Sequence, residues 1–178
     1  SPPYKPENII INCPKDSKSR WSSVSGGPNE FIIIKMKYTT LIKRLLFGKH
    51  LRIPHCNLKE FRIFIGMDPS ALELICSSTL QNETEYEIVD LKYENVIPIA
   101  ANFLKIEPIQ TWGGSNFVYS IWFLEVIGCL DPSLIQETEK LIKKKKFESN
   151  IKLCLKFLRD ENLNLTFNEL IKESGINL

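Results

Sequence analysis

Histidine is the scarcest of the catalytic residue types in this sequence. There are two, His50 and His55, and both fall in one loop-like stretch. A nucleophilic serine or cysteine needs a base beside it and a group to orient that base. No G-x-S-x-G elbow, P-loop or paired-carboxylate pattern accompanies the two histidines. The chain is therefore not expected to be an enzyme. Cysteine is thin as well: Cys13, Cys56, Cys76, Cys129 and Cys154 are odd in number, scattered, and form no C-x-x-C pair. That pattern fits reduced thiols inside a cell better than a disulfide framework. His50, His55 and Cys56 lack the fourth ligand a structural zinc site wants. No metal and no cofactor are expected, and Cys56 reads as a small apolar residue at a strand start.

Charge of one sign is missing too. The 23 basic and 21 acidic side chains leave a net charge of +2, which gives no general pull toward nucleic acid or an anionic membrane. No stretch approaches the ~18 consecutive apolar residues of a membrane span. Ser1-Pro2-Pro3 has neither an initiator Met nor a signal-peptide pattern, so the sequence is expected to begin inside a longer chain or to have been trimmed. N-x-[ST] triplets at Asn82 and Asn164 read as accidents of composition, since a glycan on Asn164 would block an apolar-periodic segment. The 178 residues suffice for one ordinary domain and a small appendage.

What is present, over roughly the first 128 residues, is β-like. Ile9-Ile10-Ile11 and Phe31-Ile32-Ile33-Ile34 are short apolar runs bounded by Pro, Ser and Gly. Phe61 to Ile65, Tyr86 to Leu91, Phe103 to Glu107 and Ile121 to Ile127 follow. Leu104 and Ile106 share one face, as do Trp122, Leu124 and Val126, the alternation of a half-buried antiparallel strand. Turn clusters at Ser22 to Pro28, Gly48 to Asn57, Asp68-Pro69-Ser70, Asn82-Glu83-Thr84 and Gly113 to Asn116 separate the runs. Repeated short strands with such breaks predict an all-β sandwich or barrel. A helical turn over Ala71 to Cys76 is also expected, with Asp68 as its cap and Pro69 opening it.

After Gly128 the period changes. Asp131-Pro132 is a helix start, and helix-favouring residues run to Lys146. From Ser149 a second pattern begins: Ile151, Cys154, Leu155 and Leu158 form one stripe, widened by Leu153 and Phe157. A break at Glu161-Asn162 leads to Leu163, Phe167, Leu170 and Ile171, and Gly175 closes that helix. Two helices of roughly ten residues do not hold without tertiary packing, and their apolar faces exceed what one short hairpin buries. They need a partner.

Several segments carry a family resemblance. Ser19-Arg20-Trp21-Ser22-Ser23 comes first, then Phe47-Gly48-Lys49 with His55-Cys56-Asn57-Leu58-Lys59-Glu60-Phe61. Phe103 to Pro108 follows, and last Trp112-Gly113 with Phe117 and Ser120 to Gly128. In order and spacing these resemble the discoidin (F5/8 type C) domain at the N terminus of the muskelin family, across nearly all of residues 8 to 129. The tail resembles a LisH motif, in which a first helix ends in Tyr-Leu and a Gly-Tyr turn precedes Thr-Ala, Phe and Glu-Ser. Here those places hold Phe157-Leu158, Asn162-Leu163, Thr166-Phe167, Leu170 and Glu173-Ser174; Asn for Gly and Phe for Ala depart from the usual form.

The resemblance implies a mainly β fold: an antiparallel discoidin-like β-sandwich of jelly-roll type with a C-terminal α-helical LisH hairpin. Residues 1–130 would be the sandwich, 131–148 a linker helix and 149–178 the LisH motif. LisH motifs pair two copies into a four-helix bundle, so the expected interface is Ile151, Cys154, Leu155, Leu158, Leu163, Phe167, Leu170 and Ile171. The alternative is that this set docks on the chain's own sandwich. Muskelin chains continue into a CTLH region and a kelch propeller and are subunits of the CTLH (GID-type) ubiquitin ligase, whose catalysis lies in other subunits. The resemblance therefore implies a non-catalytic scaffold of the cytoplasm, with the nucleus a second compartment. Its partners would be itself and other ligase subunits, not nucleic acid or membrane.

A ligand-binding module is the competing expectation. Trp112, His50 and His55 would then contact a glycan or lipid head group from the loops. A Trp beside a strand in a small sandwich is more often core or a loop plug, and Trp21 is expected to pack. Lys143 to Lys146 reads as a solvated face at a helix end, where it suits the macrodipole, or as an attractor of an acidic partner or an import signal. Cys13 and Cys129 flank the sandwich where secreted discoidin domains place a bracketing disulfide, and here they are expected to stay reduced.

Overall fold

One strand joins the β structure. In the computed structural model, which describes residues 4–91, 97–114 and 117–178, β1 is the short Trp21–Ser22 and β2 is the 17-residue Ile32–Gly48. Then come β3 (Leu58–Gly66), β4 (Glu73–Thr79), β5 (Glu87–Asp90), β6 (Ile99–Thr111), β7 (Ser120–Ile121) and β8 (Phe123–Cys129). The first part of β2 pairs antiparallel with β6, from Ile32↔Ile106 to Ile42↔Ile99. Its second part lies between β5, from Arg44↔Asp90 to Phe47↔Glu87, and β8, from Leu41↔Cys129 to Gly48↔Phe123. Register shifts between Lys35 and Thr40 and between Ile42 and Arg44 mark the change of partners. Bulges and bends of this kind let a strand leave one layer for the next.

The order β4-β3-β6-β2-β5, with β8 on β2, thus folds over on itself as an antiparallel sandwich. Phe47, near the far end of β2, meets Phe61 of β3 at 5.2 Å between ring centroids, and both are sealed from solvent. Around this pair lie Ile42, Leu45, Ile63, Ile65, Leu104 and Ile106, all fully buried or nearly so. β2 and β8 approach closely at Gly128, where an added Cβ would lie 2.5 Å from the Leu41 carbonyl oxygen.

Two sequence expectations are corrected here. Ile9-Ile10-Ile11 is not a strand: Pro6–Ile10 forms a 3-10 turn, with Pro6 in its first turn and only Ile9 buried. Proline offers no N–H to a ladder, and Asn8 ties the segment instead through its amide to the Lys18 and Arg20 carbonyls. Ala71 to Cys76 is not helical either. Asp68 accepts hydrogen bonds from the Ser70 N–H (2.8 Å) and hydroxyl (2.6 Å), closing a tight turn, and β4 then pairs with β3 from Glu73↔Ile65 onward. Hairpin pairing outweighs the local cap. Of the expected turn at Gly113 to Asn116, residues 115 and 116 lie outside the described residues.

The chain divides into two compact units, Ser1–Ile135 and Gln136–Leu178, the second of them helical. Helix α1 runs unbroken over Pro132–Asp160 and α2 over Asn164–Ser174. Asp131 caps α1 as expected, accepting from the Ser133 N–H at 2.8 Å and the Leu134 N–H at 3.3 Å. The change of pattern expected near Lys146 to Ser149 is no break, because nothing there is Gly or Pro and each residue can stay helical. If the Phe47–Phe61 contact joins the layers, Phe61→Ala costs about 3–5 kcal/mol of stability. Urea denaturation of the 178-residue chain measures it, and a loss under about 1 kcal/mol would refute that role.

Candidate functional site

At one end of the β unit, the segments following β2, β4 and β6 converge on Asn57. Its side-chain oxygen accepts from the buried Trp122 indole N–H at 2.9 Å, and its amide reaches Asn82 at 3.4 Å. Its carbonyl accepts the Trp112 N–H at 3.0 Å, and its own N–H goes to Pro54. The Trp122 ring stacks on His50 at 4.5 Å and lies 4.8 Å from the Arg20 guanidinium, which also covers Tyr4 at 4.0 Å. Trp21 pairs with Ile121, the Ser22 and Ser120 hydroxyls meet at 2.7 Å, and the Tyr119 N–H donates to Ser23 at 2.8 Å. Lys49, almost wholly buried, donates to the Glu87 carboxylate and the Gln81 carbonyl. Glu87 also accepts the Gln81 N–H at 2.7 Å.

This end is filled rather than hollow. The cavity lined by Phe47, Lys49, Asn57, Gln81 and Trp122 measures about 20 Å³, room for about one water. A ligand would have to lie outside, on Trp112, His55 and Phe117. Trp112 is 38% exposed, its indole N–H is held by the Leu80 carbonyl at 3.0 Å, and Lys59 stands 5.2 Å from its ring. His55 is exposed and stacks on Phe117 at 5.4 Å. Gly113 threads beneath them, where a Cβ would strike Phe117 at 2.5 Å and His55 at 2.7 Å. His50, expected as a contact residue, is instead buried, with its Nδ1 accepting the Arg52 N–H at 3.0 Å.

Burial raises the Cys76 thiol above its ordinary value, and burial, then the charge of Glu30, raises the Tyr119 phenol. The Tyr119 hydroxyl is within reach of the Gly26 and Ile109 carbonyls, a structural placement. Among the described residues no three His, Cys, Asp or Glu side chains stand close enough to hold a metal ion, and no helix is long and apolar enough to cross a membrane. All five cysteines are free thiols.

In the helical unit, α1 ends on a Schellman turn. The Leu163 N–H reaches the Leu158 carbonyl at 2.8 Å and the Asn162 N–H the Arg159 carbonyl at 3.0 Å, with Asn162 left-handed at φ 57°. That conformation suits Gly and, next, Asn. Gly175 closes α2 at φ 68°, its N–H on the Ile171 carbonyl. Of the expected interface, Leu155 is fully buried inside the single chain. It belongs to this chain's own packing and is not available to a partner. Ile151, Leu158, Phe167, Leu170 and Ile171 are half-buried, whereas Cys154 and Leu163 are exposed. Phe147, Leu153, Phe157 and Leu165 are also open, at 57%, 68%, 60% and 86%. Phe147 was missed because it follows the lysine run and precedes the Ser149 start of the stripe.

The family model described as Muskelin N-terminus matches residues 1–178. The chain belongs to the muskelin N-terminal family. Mei4-dependent protein 6 of Schizosaccharomyces pombe is 26% identical over 95% of this chain, which spans 27% of that relative's length. Among solved structures, the family 32 CBM of Clostridium perfringens NanJ, determined with galactose, superposes with a TM-score of 0.57 at 15% identity, covering 71% of this chain and 86% of that one. An F5/8 type C domain from Bacteroides fragilis gives 0.53 at 9% identity, covering 67% and 78%. At such identities the likeness concerns the fold. The blocks that carried the muskelin resemblance supply Trp21, Lys49, Asn57, Trp112 and Trp122, most of the groups that knit the loop end together.

If Asn57 is the hub, Asn57→Ala strands the Trp122 N–H and costs about 1–3 kcal/mol. A shift in tryptophan emission should accompany the loss in urea melts. Unchanged stability and emission would remove Asn57 from that role.

Proposed function

We propose that this chain is a non-catalytic assembly module, in which the helical unit acts as a LisH-type self-association motif. The observation that carries the reading is the unfinished core of the hairpin: among the described residues Leu155 is the one buried apolar side chain of α1, and Cys154, Phe157 and Leu163 are exposed. Exposed aromatic and aliphatic side chains clustered on a short hairpin are what a protein interface requires at its centre. Asn162 adds to this, since it takes the left-handed turn where the LisH pattern has Gly. Family membership supports the wider role: a muskelin-like subunit of a CTLH (GID-type) ubiquitin ligase, cytoplasmic and nuclear, with other subunits of that complex as further partners. In light scattering after size exclusion, the 178-residue chain should be a dimer or larger. Phe167→Asp should be a monomer that keeps the β unit's unfolding transition; a monomeric parent chain would sink the proposal.

One observation favours a second reading. The half-exposed Trp112 ring, with His55 and Phe117, offers an aromatic shelf for the face of a sugar, and the NanJ structure carries galactose. On this reading the chain is retained on a galactose-bearing array and Trp112→Ala abolishes retention. Equal retention of parent and variant would dismiss the shelf.

A further inference from the structure

We infer that α1 carries a basic stripe that docks an acidic helix of another protein. Lys140 to Arg159 holds eight basic side chains and one acidic, a net of +7, while the rest of the chain, with 15 basic and 20 acidic, sums to −5. The near-neutral total of +2 thus conceals an asymmetry, with the positive charge gathered on one helix. Within it Lys145, Ser149, Lys152, Lys156 and Arg159 recur at steps of four and three, the spacing that keeps residues on one side of a helix. Ser149, Lys152, Lys156 and Arg159 are exposed. Glu148, the one acidic side chain, is drawn to Lys144 at 3.9 Å, and Arg159 meets Asp160 at 3.3 Å. Among the described residues Lys152 and Lys156 enter no ion pair. The stripe contains none of the apolar side chains on which the self-association reading rests, and it would stand equally on a monomer.

Charge complementarity chooses the occupant. Positions three and four apart rise about 5 Å per step along a helix axis. Glutamates at the same spacing on a facing helix match them in turn, as charged flanking positions do in coiled coils. A membrane suits the stripe poorly. Phe147 and Phe157, the exposed aromatics of α1, lie about a third of a turn or more around the helix from it, so one lipid surface does not take both. A nucleic acid would run past the stripe onto a chain that is net negative elsewhere, where its phosphates are repelled. Lysine also lacks the planar fork with which arginine pairs a phosphate bidentately. A short acidic helix ends where the cations end.

The test uses the 178-residue chain and two labelled helical peptides. One is built of alanine and glutamate, with glutamate at every third and fourth position, and the other has glutamine for each glutamate. Fluorescence anisotropy at low salt should show binding of the first alone, fading as salt screens it. Lys152→Glu with Lys156→Glu should weaken that binding roughly tenfold, and Lys152→Gln with Lys156→Gln should weaken it in the same direction by less. Lys140→Glu with Lys143→Glu, the same change of charge on another side of α1, should weaken it by less than about twofold. Circular dichroism equal to the parent's shows each variant folded. Equal losses in the two reversed variants would reduce the effect to net charge and overturn the stripe, as would no binding of the glutamate peptide. Tighter binding of duplex DNA or of phosphatidylserine vesicles than of that peptide would overturn the choice of an acidic helix. Light scattering reads the association state separately, so loss of the stripe leaves self-association standing.

Discussion

The β unit depends on β2 belonging to two layers at once. A strand of 17 residues that pairs along its first part with β6 and along its second with β5 and β8 makes the turn of the sandwich covalent. Its apolar side chains therefore serve both layers: Ile32 lies in the β6-paired part, and Leu45 and Phe47 lie in the part that closes over Phe61. The same strand sets the loop end, because Lys49 follows directly after it and is held by Glu87 and Gln81. A buried ammonium is tolerated only when paired and hydrogen-bonded. The Lys49 clamp thus fixes where the 80–87 segment begins, and Asn57 binds what remains. Core and loop end are two consequences of one strand's path.

That path was only partly legible. Phe31 to Ile34 reads as a strand, but the rest of β2, Lys35 to Gly48, does not, since both register shifts break the alternation that a period of two requires. The runs Phe61 to Ile65 and Phe103 to Glu107 were readable because they lie in regular ladders with one face inward. Ile9 to Ile11 misled because β-branched runs look alike whether they enter a ladder or close a turn after proline. At the helices, caps were the reliable signal: Asp131, Asn162 and Gly175 all do what their side chain or its absence favours. Continuity was not, because a stripe that rotates around a helix resembles a new helix. Trp21 and Trp112 were distinguishable by setting, while His50 could not be separated from His55 without knowing that Trp122 stacks on one of them.

The loop end also explains why a shared fold need not carry a shared site. Here the indoles of Trp122 and Trp21 and the side chains of Asn57 and Lys49 fill the space beneath the loops. Filling it with hydrogen-bonded polar groups stiffens the end, since each would be costly to expose unpaired. What stays open is the aromatic group of Trp112, His55 and Phe117, with the Trp112 indole held by Leu80 and Gly113 packed against Phe117 and His55.

The helical unit poses the opposite problem. One sealed leucine contributes about 2 kcal/mol, whereas ordering each residue of a helix costs on the order of 1 kcal/mol in backbone entropy. The Schellman turn at Asn162 and the cap at Gly175 lower that cost without removing it. On the self-association reading proposed above, the open side chains are one half of a core.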